Sequence, residues 1–226
     1  MPPPVPIRLP EALTTPDDEV ALKLLAEYYG HPYGAPHALT GAGFDVWDST
    51  GTRAEDANRF TADDLVALMF LSLAVPASTA LVLLGDRVAD FAGLLAEVGP
   101  DRDLADEEEP LHPGWPAWRL YQELLEVPGV GRTTASKLLA RKRPRLLPVW
   151  DTETAKVTGA RSKHWEPLRL ALRADGKVLH RRLLRLRDLA GLPSQVSALR
   201  VFDVICWREG IRRHAATPAP RRRWSR

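Results

Sequence analysis

The stretch Val127-Pro128-Gly129-Val130-Gly131-Arg132-Thr133-Thr134-Ala135 decides how this chain is read. Trp118 to Glu126 before it has the make-up of a short helix, and Ala135 to Arg141 after it continues as another. Two glycines two residues apart permit a tight reversal between them. A reversal of this kind is a helix-hairpin-helix, and its backbone N–H groups open the second helix where a phosphate oxygen can sit. Glycine spacing alone fits an ordinary αα-turn equally well.

The chain has 226 residues, of which 45% are hydrophobic, enough for a substantial core in one domain or two closely packed lobes. Its single cysteine, Cys206, excludes an internal disulfide and cannot alone build a cysteine-rich metal site. No stretch of eighteen apolar residues and no basic-then-apolar leader occurs, so the expected location is cytoplasmic. The net charge of +2 conceals a polarity. Residues 1–110 carry 6 Lys/Arg against 20 Asp/Glu, and residues 111–226 carry 25 against 9. A basic half of this kind suits phosphate binding, and equally suits attraction between the two halves of one fold.

Residues 1–16 read as a flexible, extended arm. Asp17-Asp18-Glu19 then opens a helix that Gly30 stops. Phe44, Val46 and Trp47 form either a brief strand or loop anchors. Phe60-Thr61-Ala62-Asp63-Asp64 predicts a helix start, with Thr61 as N-cap and Asp64 completing a capping-box spacing. Pro76 ends or kinks that apolar helix, and helical segments over 77–84 and 86–98 follow. The connector 101–110 carries six acids between Asp101 and Glu109 and reads as solvated. Beyond Asp151, helices are expected over 152–157, 165–174, 178–189 and 198–209. The segment around Lys177, Arg181 and Arg185 is either a second phosphate-binding face or a solvated flank. Residues 211–226 form a basic tail that includes Arg221, Arg222 and Arg223. With no repeats or strong strand runs, the expected class is all-α, with one globular unit over 17–210.

The run Leu124 to Ala140, a basic turn, and then Pro148-Val149-Trp150-Asp151-Thr152 resembles the helix-hairpin-helix (HhH-GPD) DNA glycosylase superfamily. The resemblance covers residues 118–158 and centres on the hairpin at about 118–141. The acidic connector and the glycine-rich region near Phe44 also resemble an actinobacterial family without a known activity. The glycosylase resemblance implies a two-lobed helical fold and base-excision chemistry dependent on the aspartate that falls on Asp151. The nucleophilic lysine of the bifunctional members falls on Thr133, which has no amine, so the implied activity is monofunctional, without strand cleavage. Lys137 is displaced from that position by about 6 Å along the helix. The four-cysteine iron–sulfur cluster of some relatives is also missing, and no cofactor is expected.

What the resemblance implies is hydrolysis of the N-glycosidic bond of a modified base in duplex DNA. Such cleavage develops positive charge on the deoxyribose, which a carboxylate stabilises while water attacks. Asp151 is the catalytic candidate, and the competing reading is a plain helix N-cap. Backbone groups of Gly129, Val130, Gly131 and Arg132 would clasp a phosphate, in some members with a monovalent cation. Arg132, Lys137, Arg141, Lys142, Arg143 and Lys156 would add charge to that contact. These are phosphate contacts and carry no base preference. Trp150, Trp118 and Tyr121 are candidates for the surface that receives a flipped base, and each is also a candidate core residue. Glu153 would repel a DNA backbone unless turned aside. The expected partner is double-stranded DNA, engaged by a monomer in the cytoplasm or on the nucleoid. The alternatives are a non-catalytic DNA-binding hairpin protein and a structural or interaction protein.

Overall fold

The computed structural model describes residues 6–160 and 164–216, and all regular structure in them is helical. The helices are α1 (Glu19–Tyr29), α2 (Ala62–Phe70), α3 (Ala77–Leu81), α4 (Val88–Val98), α5 (Pro116–Leu125), α6 (Arg132–Lys142), α7 (Thr152–Thr158), α8 (Trp165–Leu189) and α9 (Ala198–Ala216). A π-helical turn, Val82–Asp86, joins α3 to α4. No described helix is long and apolar enough to cross a membrane. The arginines at 221–223, placed in the basic tail, lie outside the described residues, whereas residues 211–216 continue α9.

Local chemistry starts the helices where expected. The Asp17 carboxylate accepts the Glu19 amide at 2.9 Å at the head of α1. Gly30, at φ +79°, ends that helix. At α2 the Asp64 carboxylate reaches back to the Thr61 amide at 2.9 Å. Helix α2 stops at Phe70, before Pro76, because Ser72 takes a left-handed φ of +58°. Helix α8 is broken at Ala174–Lys177, where Asp175, Gly176 and Lys177 have positive φ.

Two groups of helices result. In one, α4 packs on α5, α5 on α6, and α6 on α2. In the other, α1, α7 and α8 all pack on α9. Helix α9 is buried around its circumference, with Val201, Phe202, Val204, Ile205 and Cys206 fully buried alongside the charged Arg200 and Asp203. The second group therefore draws on both ends of the chain, and the hairpin belongs to the first. Residues 6–16 are not a free arm. Ile7, Ala12 and Leu13 are buried, and the Glu209 carboxylate of α9 accepts the Glu11 amide at 3.0 Å.

The acidic connector is not simply solvated. Asp103 pairs with Arg145 and Asp106 with Lys177, while the backbone carbonyls of Ala105 and Glu107 accept from Arg173 and Arg169. Asp18 takes both Arg182 and Arg185, and Glu27 takes Arg208 and Arg212. The acidic first half thus serves as counter-ion to the basic second half.

Candidate functional site

The hairpin turns at Gly129, whose φ is +85°. A Cβ there would lie 2.5 Å from the Thr79 hydroxyl and 3.2 Å from Pro76, so glycine is required by conformation and by the approach of α3. The Thr79 hydroxyl donates to the Pro128 carbonyl at 2.6 Å and fixes the turn. Val130 faces the core, whereas Gly129, Gly131 and Arg132 are exposed. Gly131 is the N-cap of α6 with no side chain to satisfy the first turn. The amides that open α6 therefore have no side-chain cap, and Arg132, the first residue of that helix, is exposed, an arrangement suited to an anion.

Asp151 caps α7. Its Oδ1 accepts the amides of Glu153 and Thr154, each at 3.0 Å. The second oxygen, Oδ2, has no donor among the described residues, and the residue is half-buried. Cap and available carboxylate are thus the same side chain, divided between its two oxygens. The approach to it is clasped by Ser136, whose hydroxyl donates to the Pro148 carbonyl at 3.1 Å and accepts the Trp150 amide at 2.7 Å. One buried hydroxyl therefore lashes residues 148–150 to the second hairpin helix.

Several expected site residues lie elsewhere. Arg141, Lys142 and Arg143 are buried and do not face a phosphate. Arg141 donates to the Phe44 carbonyl at 2.7 Å and to the Trp47 carbonyl, and pairs with Asp64. Phe44 and Trp47 are accordingly loop anchors, not a strand. Lys142 joins Asp64 at 2.5 Å. Arg143 gathers the carbonyls of Gly99, Leu95 and Ala57 and so closes the end of α4. A helix packed on α2 on one side has few positions left for solvent, and these long side chains instead satisfy carbonyls of its neighbours. Lys137 also turns inward, and its Nζ donates to the Leu71 carbonyl at 3.2 Å. Lys156 is exposed but paired with Glu153 at 2.9 Å. Glu153 itself is turned aside, against Gly210 of α9 and within 3.4 Å of His214.

Trp150 is 5% exposed and is a core residue, not the wall of an open pocket. It stacks on His164 at 3.9 Å with 9° between the rings, and its indole N–H donates to the Ala160 carbonyl. Trp118 and Tyr121 are partly exposed, and both pack on Trp165, at 3.9 Å and 5.8 Å. Trp115 completes this cluster from a third side. Two small cavities lie away from Asp151. One is polar, between Asp48, Arg53, Asp63 and Arg141, and the other lies between Phe44, Ala140 and Arg200.

Beneath Asp151 lies a charged network that the spacing of residues does not announce. Asp203 of α9 accepts the Thr154 hydroxyl at 3.0 Å and pairs with Arg200, which also meets Asp45 at 3.1 Å and the Tyr28 hydroxyl at 2.7 Å. Burial pushes the Asp203 carboxyl up to about 6, against the pull of Arg200. The i, i+3 placement of Arg200 and Asp203 on one helix was the available sequence signal.

An all-helical protein with an exposed hairpin turn and a half-buried capping carboxylate on the following helix is the class that this geometry defines. Residues 21–210 match a family of unknown function, DUF6308, and the chain belongs to that family. No curated protein and no solved structure matches it.

Proposed function

We propose that this protein is a monofunctional DNA glycosylase, which grips duplex DNA with the 129–132 hairpin and hydrolyses an N-glycosidic bond at Asp151. The observation that carries the proposal is the division of labour in Asp151. Oδ1 is held by two amides of its own helix, and Oδ2, with no donor among the described residues, would be free to face a reacting centre. In the reaction the C1′–N bond breaks and the base leaves with the bonding electrons. Water adds to C1′, its proton passes to Asp151 and on to solvent or the departing base, and an abasic site remains. Asp151 Oδ2 would face the sugar as positive charge develops there. Thr133, at the position of the lysine nucleophile of bifunctional glycosylases, offers no amine, so the abasic strand would stay intact.

A second reading, DNA binding without catalysis, is favoured by the filled surroundings of Trp150 and by cavities that lie away from Asp151. The two separate in one experiment. Duplexes carrying varied modified bases are incubated with the protein, and abasic sites are then revealed by alkali. The glycosylase reading expects cleavage after alkali that Asp151→Asn abolishes. Equal release by that variant removes Asp151 from the chemistry, and binding without release favours the second reading.

A further inference from the structure

Helix α5 leads into the hairpin, and one of its faces is aromatic. Trp115, its N-cap, and then Trp118 and Tyr121 recur every three residues and so share one side. The charges of α5 are taken up elsewhere, since Arg119 meets Glu97 at 2.6 Å and Glu123 meets Arg87 at 2.8 Å. Trp165 backs the aromatic face from α8, its ring 3.9 Å from Trp118, 5.7 Å from Trp115 and 5.8 Å from Tyr121. It is 2% exposed, whereas the three rings in front of it are half-buried and keep part of their surface in solvent. A cluster built only for packing satisfies its polar hydrogens, because a buried indole N–H ordinarily finds an acceptor. Trp150 follows that rule on the Ala160 carbonyl. Trp165 does not: its Nε1 is buried without a partner among the described residues. His164, edge-on to Trp165 at 6.0 Å, leaves both ring nitrogens unpartnered among them as well. Orphan donors and an acceptor clustered behind a partly open aromatic face point to an occupant that is itself flat and polar at its edge. A nucleobase has that chemistry.

We propose that the face of α5 formed by Trp115, Trp118 and Tyr121, backed by Trp165, is a stacking platform for an unpaired nucleobase, so that the nucleic acid bound best is a duplex with a single-stranded stretch beside the hairpin. The duplex part of this proposal rests on the hairpin as a DNA contact; the stacking does not. Helix α5 packs on α6, and Tyr121 precedes the end of α5 by four residues, about 6 Å of rise. The uncapped amides of α6 and exposed Arg132 follow directly, so adjacent elements serve the base and the phosphate of one strand. A paired base cannot use the platform, since its faces are covered by its neighbours in the stack. Stacking accepts any base, so the platform selects for strand state and not for sequence. The rings of His164 and Trp165 stand between Trp118 and Trp150, and the platform therefore takes a base that flanks the reacting nucleotide.

The test measures binding of the full chain by fluorescence anisotropy to three labelled probes: a blunt duplex, the same duplex with a short oligothymidine overhang, and the oligothymidine alone. The overhang is expected to tighten binding by about tenfold, the weight of one stacked base. Trp118→Leu is expected to remove that difference. Tyr121→Leu is expected to reduce it and Tyr121→Phe, which keeps the ring, to retain it. The Tyr121 pair decides the matter even where Trp118→Leu does not fold. Equal affinity of wild type for the blunt and overhung duplexes overturns the platform and leaves the hairpin contact standing. A preference that survives both Trp118→Leu and Tyr121→Leu overturns it too. Oligothymidine bound through Trp118 by a protein that ignores the blunt duplex supports the platform and sinks the hairpin reading. Binding to none of the three probes overturns both.

Discussion

Arg141 Nε lies 3.3 Å from Asp64 Oδ1, and this buried pair joins the second hairpin helix to the cap of α2. The same carboxylate takes Lys142 at 2.5 Å and the Thr61 amide at 2.9 Å. A capping acid of α2 therefore fixes the far end of the helix that begins at the hairpin.

Removing that acid leaves two buried cations without their anion. Asp64→Asn is expected to lower the unfolding free energy by about 3–5 kcal/mol, the usual cost of stranding a buried charge. Urea denaturation of the variant measures it. A loss below about 1 kcal/mol would show that the backbone carbonyls alone suffice for Arg141 and Lys142.

The hairpin glycines are expected to differ. Gly129→Ala forces a Cβ into the Thr79 hydroxyl at positive φ and is expected to cost roughly 1–3 kcal/mol. Gly131 has open space around its Cβ position and negative φ, so Gly131→Ala is expected to change stability by less than about 1 kcal/mol. Gly131→Pro removes one amide from the anion site and is expected to weaken duplex binding. Equal affinity for Gly131→Pro and wild type would place the DNA contact elsewhere.

Among the charges once assigned to phosphate, only Arg132 is both exposed and unengaged by a carboxylate among the described residues. Arg132→Gln is expected to reduce the slope of log affinity against log salt by about 1. Lys156→Gln, at a residue already paired with Glu153, is expected to leave the slope nearly unchanged. Fluorescence anisotropy over a salt series distinguishes the two, and identical slopes for all three proteins would reject Arg132 as a phosphate contact.

His164 is buried against Trp150, and burial pushes its imidazole down to about 3. Its ordinary value of 6.5 is the reference for the unfolded chain. The unfolded state therefore binds the extra proton first as pH falls. The stability contributed by neutral His164 is complete above about pH 6.5 and is lost progressively toward pH 3. Asp203 has the opposite sign. Its folded carboxyl is raised, so its contribution is complete below about pH 4 and declines as pH rises through about 6. His164→Phe is expected to gain about 2 kcal/mol relative to wild type between pH 7 and pH 5. Denaturant melts at those two pH values check it, and a constant difference would mean that His164 titrates normally in the folded protein.

The local signals were legible because they act over a few residues. The Asp17 and Asp64 caps, the stop at Gly30 and the break near Gly176 all follow from side-chain reach and backbone sterics. The fate of Arg141, Lys142 and Arg143 was not legible, since an arginine on a helix reads as exposed unless carbonyls distant in sequence are waiting for it. Gly99 and Phe44 supply such carbonyls from 44 and 97 residues away. Trp150 was equally ambiguous until His164 and Ala160 closed over it.

By itself the sequence determined the helical class, the hairpin turn and the placement of an aspartate at the head of the helix that follows. Those depend on glycine sterics, capping and apolar periodicity, all of which act within one or two turns. The tertiary structure alone decided which charges face water. It folded the basic half onto the acidic half, turned Lys137 inward to the Leu71 carbonyl and left Arg132 outside. Burying a charge requires partners from other elements, and only packing brings those partners together.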